Sequence, residues 1–378
     1  MSSDTPLPPG WTKEFSKSQQ KHYYYHHKTN ARQWHPPTLT EAQNPELAAE
    51  RARRKTIEEC NQQTDSTATP SASTTSAAGK RKRDDPNPTS TTSSTSISKQ
   101  SKPSPLTSVA IIVPFRDLHL EQKRSSHLSQ FSPYISNFLA GSSEIKNYHV
   151  YVVEQNEDGR KFNRGKLLNI GYKIAKESSL GHNTFIFHDV DLLPAQNLLK
   201  YYSKLPTQPI HIARCWDRYS NNPKYFGGIV SFSRESMEKI NGYPNNFWGW
   251  GGEDDEMNKR CETTKIKWVG VEEKGGIRDL EEMDIQEKMT FLRGHKEWKC
   301  HMKNEVLAEH SSTWSTNGLS SLAYTEICRC YVDEEKCGRN VTKVTVDVGL
   351  NGDHWTNEKS DVENLDYTEP EKVRASKK

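Results

Sequence analysis

Two acidic motifs in this 378-residue sequence have the residue types and spacing to do chemistry. Asp189-Val190-Asp191 directly follows the apolar run TFIF, so two carboxylates stand at the end of an expected strand. Paired carboxylates offer the hard oxygen ligands that Mn²⁺ and Mg²⁺ accept. A D-x-D pattern by itself is equally compatible with a solvated loop, so it needs support from elsewhere in the chain.

The second motif is WGWGGEDDE at residues 248–256. Two tryptophans among three glycines do not suit the interior of a helix or strand, so the sequence predicts a shaped loop with large stacking surfaces. The loop runs into an acidic helix start, where exposed amides and the helix dipole favour carboxylates. Adjacent carboxylates repel each other, which raises the pKa of one of them and suits a general base. An ordinary acidic helix start would explain Asp254 and Asp255 but not the tryptophans and glycines.

Alternating apolar and amphipathic segments must position these motifs. The expected elements alternate between strand and helix, at residues 109–113, 117–140, 148–154, 166–178 and 184–191. This β-α-β order predicts an α/β domain with a largely parallel sheet. Ligands of such open sheets bind beyond the carboxyl ends of the strands, which is where residues 188–191 would lie.

The chain is not expected to be packed along its whole length. Hydrophobic residues make up 32% of it, and the mean hydropathy is −0.92. Residues 39–107 are mainly a Ser/Thr/Pro tract without the apolar side chains that offset chain entropy, so we expect a disordered linker there. Residues 351–378 are expected to be a polar tail. The net charge of +3 argues against a general polyanion binder, so a nucleic-acid partner is not indicated.

Several features bear on the compartment in which the protein works. The sequence shows no charged-then-apolar signal segment and no apolar run of about 18 residues that could span a bilayer. Its seven cysteines lack the spacing of a disulfide framework, which fits a reducing compartment. The basic cluster GKRKR at residues 79–83 predicts nuclear import, although a solvated charge run is the alternative. We therefore expect a soluble protein of the nucleus or cytoplasm with no membrane partner.

An aromatic module of residues 6–38 precedes the linker. Its spacing suits three short strands, with Trp11 packed on Tyr24 on one face. Tyr23 and Trp34 would project from the other face as a slot for proline. The module resembles a WW domain, an all-β three-stranded fold. Within that family it is most similar to the domain of the phosphorylation-dependent peptidyl-prolyl isomerase.

This resemblance implies a ligand for the module. In the related isomerase a loop serine and an adjacent cation hold a phosphate beside the proline slot, and here Ser16 and Lys17 fill those places. Lysine replaces the usual arginine and lacks its bidentate fork, which predicts looser recognition of phosphate. The expected partner is a proline-rich or phospho-Ser/Thr-Pro protein. The residues expected to bind it are Ser16, Lys17, Tyr23 and Trp34.

The larger region resembles the β-1,4-galactosyltransferase family, through motifs that occur in the family's order. These are PFR (114–116), FNRGKLLNIGY (162–172), FHDVDLLP (187–194), the block from YFGG to WGWGGEDDE (225–256), NGLSSLAY (317–324) and VTVDVG (344–349). The resemblance covers residues 108–350. It implies a GT-A-like nucleotide-sugar transferase domain, an α/β fold with a mostly parallel central sheet.

The resemblance also implies roles for individual residues. Donor and nucleotide would be bound by Pro114, Phe115, Arg116, Phe162, Arg164, Asp189, Val190, Tyr225, Gly228 and Trp250. The acceptor would be held by Gly251, Gly252, Glu253 and Asp254. Glu253 and Asp254 would be catalytic, with Asp254 as the base that deprotonates the acceptor hydroxyl. Tyr225 stands where galactose-selective members carry tyrosine, whose bulk excludes an acetamido group.

The metal ligands implied by the resemblance depart from the family pattern. Asp191 would bind Mn²⁺, with Mg²⁺ as an alternative. The family's lid normally supplies a methionine or histidine and then a second histidine, and the corresponding segment here is taken as residues 291–295. In that segment only His295 is a plausible ligand, and His301 is the fallback outside it. Residues 271–289 look like an insertion on the acceptor side.

Together these features imply an inverting, metal-dependent glycosyltransferase. It would move galactose from UDP-galactose to an acceptor hydroxyl, and the WW domain would target it to its partners. The lid that lacks a second metal ligand keeps a rival hypothesis open. In that hypothesis the chain is a WW adaptor whose transferase-like domain is catalytically weak or inactive and only binds a nucleotide sugar or glycan.

Overall fold

A computed structural model describes residues 7, 11–16, 21–26, 31–33, 106–117 and 122–349. The predicted linker lies outside the described residues except for its last two positions, and the predicted tail lies wholly outside them. Lys17 and Trp34 also lie outside, and Ser16 and Tyr23 are placed only as members of strands. The ligand surface expected on the N-terminal module therefore stays a prediction.

The N-terminal residues form a three-stranded antiparallel sheet, as the aromatic spacing predicts. Its strands are β1 Trp11–Ser16, β2 Lys21–His26 and β3 Ala31–Gln33, in that order across the sheet. Trp11 and Tyr24 are buried against each other, and Leu7 packs on the pair. The predicted contact between the first tryptophan and the central tyrosine is thus confirmed.

The larger region is built on a mostly parallel sheet. Its strands are β4 Thr107–Phe115, β5 Ile145–Gln155, β6 Thr184–His188, β7 Leu192–Pro194, β8 Ile210–His211, β9 Ile229–Ser233, β10 Val269–Gly270, β11 Ile277–Asp279, β12 Thr325–Tyr331 and β13 Val341–Asp347. Eight of them form one sheet in the order β10-β8-β9-β6-β4-β5-β13-β12. Strands β6, β4, β5 and β13 run parallel, whereas β9 and β12 are antiparallel to their inner neighbours. The predicted GT-A-like α/β architecture is confirmed.

Helices cover the sheet and fill its connections. They are α1 Arg124–Ala140, α2 Arg164–Glu177, α3 Leu199–Tyr202, α4 Arg234–Lys239, α5 Glu253–Thr263, α6 Ile285–Gly294, α7 Lys303–Ala308, α8 His310–Thr313 and α9 Glu334–Cys337. The expected helix at residues 117–140 begins later than predicted, at Arg124. In the part of the chain that the structure describes, no helix is long and apolar enough to cross a membrane.

Strand β4 lies at the centre of the core and is buried along its whole length. One face of the sheet packs against α1, through Phe131 and Ile135, and the other packs against α2. Helix α2 approaches closely because Gly171 has no side chain; a Cβ atom there would overlap Ile112. This packing fixes the carboxyl ends of β4 and β6, where the predicted site residues begin.

Candidate active site

A cleft of about 300 Å³ opens beyond the carboxyl ends of β4 and β6. Most of the residues predicted to bind donor, acceptor or metal line this cleft, although they come from separate parts of the chain. Those that line it are Pro114, Phe115, Arg116, Phe162, Arg164, Asp189, Val190, Asp191, Tyr225, Trp250, Gly251, Gly252, Glu253 and Asp254. Gly228 and His295 are not among the described residues that line it. The motifs therefore converge on one place, as the position of D-x-D at a strand end predicts.

The D-x-D motif is held where β6 and β9 meet. Strand β6 ends at His188, and the backbone N–H of Asp189 donates to the carbonyl oxygen of Gly228 at 2.9 Å. Gly228 has φ +73°, a conformation that glycine adopts at little cost. Gly228 thus positions Asp189 through its backbone, although it does not itself line the cleft.

Arg164 connects a predicted donor-binding residue to the two predicted catalytic carboxylates. Its guanidinium lies 2.8 Å from Asp189 and 2.9 Å from Asp254, and its Nη1 atom lies 3.4 Å from Glu253. Arg164 is the first residue of α2, while Glu253 and Asp254 begin α5. One cation therefore contacts three carboxylates from two parts of the chain, and its contacts with Asp189 and Asp254 have the lengths of charge-assisted hydrogen bonds.

Asp254 has the electrostatic surroundings of a general base. Burial raises its pKa to about 8, the Glu253 and Asp189 carboxylates raise it too, and the Arg164 guanidinium opposes them. A carboxylate with a pKa near neutrality accepts a proton far better than an ordinary aspartate. Beside it, the Oε2 atom of Glu253 is buried without a hydrogen-bond partner among the described residues. A sugar hydroxyl in the cleft would supply that partner.

The WGWGG segment forms the shaped loop that the sequence predicts. Gly249, Gly251 and Gly252 have φ values of +93°, +102° and +109°, which side-chain-bearing residues rarely adopt. Trp250 between them is 41% exposed at the cleft edge. Its backbone N–H donates to the carbonyl oxygen of Trp298 at 2.7 Å, and its own carbonyl accepts from Cys300 at 3.1 Å. The loop thus presents a large, partly exposed aromatic surface at the edge of the cleft.

Tyr225 forms a rigid wall of the cleft. Its ring stacks on Tyr219 with centroids 4.2 Å apart and lies 6.2 Å from the ring of Trp216. Such stacking fixes the ring in one orientation. Sequence reasoning assigned Tyr225 but missed the aromatic partners that hold it, because they belong to the segment CWDRY (215–219), which is not part of any motif recognised in the sequence.

A group of three carboxylates could hold the divalent metal ion. Oxygen atoms of Asp191, Asp279 and Glu281 lie within 4.8 Å of one another. The pairing of β7 with β11 brings them together, since Asp279 lies opposite Leu192 and the N–H of Leu280 donates to the carbonyl of Asp191 at 2.8 Å. An all-oxygen ligand set suits Mn²⁺ and Mg²⁺, so the residues fit the expected cofactor. Sequence reasoning missed two of the three because it treated residues 271–289 as an insertion.

His295, the other predicted metal ligand, is not a member of this group of carboxylates among the described residues. Its ring stacks on Trp298 with centroids 3.9 Å apart, and its Nδ1 atom lies 3.4 Å from Glu297. The structure thus brings Asp279 and Glu281 to Asp191 and gives His295 other contacts. A role for His295 as a ligand stays a prediction.

Basic side chains surround the three carboxylates. Arg124 lies 2.6 Å from Asp191, and Arg218 and Lys288 each lie 2.8 Å from Glu281. Burial alone would raise the pKa of Asp191, but the Arg124 guanidinium outweighs it and holds that pKa well below its usual range. These three cations line the cleft and were not predicted from the sequence.

Family models match three parts of the chain. A model described as the N-terminal region of glycosyl transferase group 7 matches residues 60–204, and one described as the N-terminal domain of galactosyltransferase matches residues 207–283. The WW domain model matches residues 7–37. The two transferase models follow one another and together match more than half of the chain.

Known relatives and solved structures agree with these matches. Human β-1,4-galactosyltransferase 4 is 36% identical over 225 residues, which are 58% of this chain and 59% of that protein. Mouse β-1,4-galactosyltransferase 1 is 39% identical over 244 residues, which are 64% of this chain and 55% of that protein. The chain thus spans less than two thirds of the length of these relatives.

Crystal structures of Drosophila β-1,4-galactosyltransferase 7 share the fold. One, a mutant in complex with manganese, UDP-Gal and xylobiose, superposes with a TM-score of 0.54 at 25% identity and covers 66% of this chain and 98% of that one. A second, the catalytic domain in complex with xylobiose, has a TM-score of 0.52 at 27% identity, with the same coverage. The chain therefore belongs to the β-1,4-galactosyltransferase family and carries a WW domain ahead of its transferase region.

Proposed function

We propose that the chain transfers galactose from UDP-galactose to an acceptor hydroxyl, with inversion at the anomeric carbon and with a divalent metal ion as cofactor. The observation that carries this proposal is the single cleft in which Arg164 joins Asp189 of the D-x-D motif to Glu253 and Asp254. Donor and acceptor groups therefore stand next to one another, as a direct displacement requires. The Drosophila relative crystallised with UDP-Gal and manganese supports the same donor and cofactor.

Different residues of the cleft have different roles in the proposed reaction. Asp254 takes the proton of the acceptor hydroxyl while the acceptor oxygen forms its bond to the anomeric carbon. The bond between that carbon and the diphosphate breaks in the same step, and UDP leaves. Glu253 accepts a hydrogen bond from the acceptor sugar through its Oε2 atom, which no described residue contacts by a hydrogen bond. Trp250 covers the donor and keeps water from competing for it.

The metal site and the donor pocket complete the arrangement. Asp191 and Asp279 would hold a divalent ion, which when bound neutralises charge on the departing diphosphate. Tyr225, fixed by its stack on Tyr219, fills the space next to the sugar ring. That bulk favours galactose over a sugar with an acetamido group. A domain that had lost turnover would not need to preserve this constellation, so the adaptor hypothesis is not favoured.

Release of UDP tests this function directly. The full chain is incubated with UDP-galactose and Mn²⁺ in the presence of a panel of glycan, protein and small-molecule acceptors. Transfer predicts acceptor-dependent release of UDP that chelation of the metal reduces. UDP-N-acetylgalactosamine serves as the donor control. If no acceptor raised UDP release above the level of the Asp254→Asn variant, the proposal would be wrong.

The WW domain is proposed to recruit a proline-rich or phospho-Ser/Thr-Pro protein. The buried pair of Trp11 and Tyr24 supports a folded WW sheet, and the residue types of Ser16 and Lys17, which match the phosphate-binding positions of the related isomerase, support binding of phosphate. Titration of the full chain with a Ser-Pro peptide, phosphorylated and unmodified, separates the two ligand classes. Equal affinities would reject phosphate recognition, and no binding to either peptide would reject both.

The nucleus and cytoplasm are proposed as the site of action because of the basic cluster GKRKR at residues 79–83. Fluorescently labelled full chain should accumulate in nuclei, and replacement of the four basic residues by alanine should abolish that accumulation. Residues 372–378, which contain four basic residues, offer a control segment for the same number of charge changes. Delivery of the unchanged protein to the secretory pathway would contradict the proposal.

A further inference from the structure

Three basic side chains converge on one buried carboxylate in the cleft. The carboxylate of Glu281 accepts from Arg124 at 2.7 Å, from Arg218 at 2.8 Å and from Lys288 at 2.8 Å. The side chains of Glu281 and Lys288 are each only 5% exposed, and that of Arg218 is 3% exposed. The three cations come from α1, from the turn at residues 217–219 and from α6. Glu281 therefore occupies an anion-binding site that three separate elements build.

The positive and negative charges of this cluster balance in the structure. Arg124 also pairs with Asp191, and Arg218 also pairs with Asp279, so three cations face three carboxylates. A divalent ion bound by Asp191 and Asp279 would replace Arg124 and Arg218 as the partners of these two carboxylates. The cations would then carry uncompensated charge in a buried place, which is costly unless another anion arrives. The donor's diphosphate is such an anion.

We propose that Arg124, Arg218 and Lys288 form the binding site for the diphosphate of the donor, and that the carboxylate of Glu281 fills this site until the donor displaces it. The inference rests on the proposed function, because it assumes a nucleoside diphosphate donor. All four side chains line the same cleft as the D-x-D motif. Arginine and lysine are also the side chains that bind phosphate oxygens in proteins, with charge-assisted hydrogen bonds.

The location of Glu281 allows its side chain to leave. It lies in the connection between the end of β11 at Asp279 and the start of α6 at Ile285, so neither element has to unfold. The next residue, Glu282, has φ +53°, an unfavourable conformation for a residue other than glycine. A shift of this connection can relax that conformation, whereas the three cations are anchored on rigid elements.

Glu281 can be read in a second way, as a metal ligand together with Asp191 and Asp279. The two interpretations predict opposite effects of removing its charge. As a stand-in for phosphate, Glu281 competes with the donor, so its removal strengthens donor binding even without metal. As a metal ligand, it assists the donor through the metal, so its removal weakens metal-dependent binding and changes nothing without metal.

The test is the affinity of the full chain for UDP, measured by isothermal titration calorimetry in EDTA. We expect Glu281→Gln to bind UDP about tenfold more tightly than the wild type, because the ligand no longer has to displace a buried carboxylate from the three cations. The matched control is Glu282→Gln, which makes the same change of charge at the exposed neighbouring position and should bind like the wild type. Uridine, which has no phosphate, should bind the wild type and Glu281→Gln equally.

Two further variants keep the test valid if Glu281→Gln proves unstable. Lys288→Met should weaken UDP binding in EDTA because it removes one of the three cations. The double variant Glu281→Gln with Lys288→Met removes one charge of each sign and so keeps the cluster's balance. It should bind UDP more tightly than Lys288→Met alone. Thermal melting of each variant shows whether it is folded at the temperature of the titration.

The outcomes separate this inference from the proposed function. If the wild type binds UDP in Mn²⁺ but Glu281→Gln binds it no more tightly in EDTA, the diphosphate site is wrong and the proposed donor stands. A loss of Mn²⁺-dependent UDP binding in Glu281→Gln, with no gain in EDTA, identifies Glu281 as a metal ligand and overturns the inference. If no form of the protein binds UDP even in Mn²⁺, the donor assignment fails, and this inference fails with it.

Discussion

Gly227 offers a way to move the proposed base without changing its chemistry. A Cβ atom at Gly227 would overlap the Oδ2 atom of Asp254 and lie 2.7 Å from its Cγ atom, well inside van der Waals contact. The backbone of Gly227 is outside the left-handed region, so alanine fits the local conformation. In Gly227→Ala the carboxylate of Asp254 must therefore rotate away, which breaks its 2.9 Å ion pair with Arg164.

The expected effect is on turnover. A displacement of a reacting group by about 1 Å costs on the order of a hundredfold in rate, so kcat should fall by about that factor. The affinity for UDP should be retained, because the overlap lies on the acceptor side of Arg164. The assay measures kcat with UDP-galactose and a saturating acceptor, and calorimetry measures UDP binding. Gly294→Ala is the control, since a Cβ atom at Gly294 meets nothing within 4 Å.

A double-mutant cycle shows whether the loss acts through Asp254. Gly227→Ala also brings its Cβ atom to 2.9 Å from the ring of Tyr225, so a second route to lower activity exists. If the base is the cause, Gly227→Ala should add little in the Asp254→Asn background, because the two changes remove the same function. Full additivity, or a kcat of Gly227→Ala within a few-fold of wild type, would refute the reasoning.

Three further predictions concern the base and the donor pocket. Asp254→Asn should lower kcat by about a thousandfold while UDP affinity stays unchanged, as measured by turnover and calorimetry; near wild-type turnover would remove Asp254 from the role of base. Because the pKa of Asp254 is raised to about 8 and the base must be unprotonated, kcat/KM should rise with pH by about tenfold per unit below that pKa and then level off. A profile that is flat between pH 6 and 9 would contradict the assignment. Tyr225→Leu should open the space beside the stacked ring of Tyr219 and allow transfer from UDP-N-acetylgalactosamine, so an unchanged donor preference would show that the tyrosine does not set it.

Much of the fold could be predicted because its core strands are apolar and regularly spaced. Strand β4 and helix α2 occur within a few residues of their expected positions, since burial on both faces of a parallel sheet leaves a clear sequence pattern. Helix α1 was expected to begin at residue 117 but begins at Arg124. The helix begins without a side-chain cap, and periodicity does not locate a helix start that lacks a capping residue.

The residues predicted to bind donor and acceptor lie in one cleft, and they could be picked out from the sequence because their motifs are compact. Asp189 and Asp191 are separated by one residue, and Glu253 and Asp254 are adjacent at the start of α5. Each pair can therefore be recognised from its own short segment of sequence. Asp279 and Glu281 carry no such local signal. They reach Asp191 through the pairing of β11 with β7, a contact between residues far apart in the sequence. Pairing of two three-residue strands is decided by tertiary packing and not by any pattern within either strand.

The charges of the cleft imply that metal ion and donor bind cooperatively. Asp191 and Asp279 are already neutralised by Arg124 and Arg218, so a divalent ion alone must break two buried ion pairs. A diphosphate alone would in turn leave these carboxylates without their cations. Bound together, the ion and the diphosphate satisfy both sets of charges. Calorimetry should therefore show that UDP tightens Mn²⁺ binding and that Mn²⁺ tightens UDP binding by the same factor, as thermodynamic linkage requires. Mn²⁺ affinity that did not depend on UDP would mean that the ion pairs do not compete with the metal, and that the cations serve only to hold α1 and α6 in place.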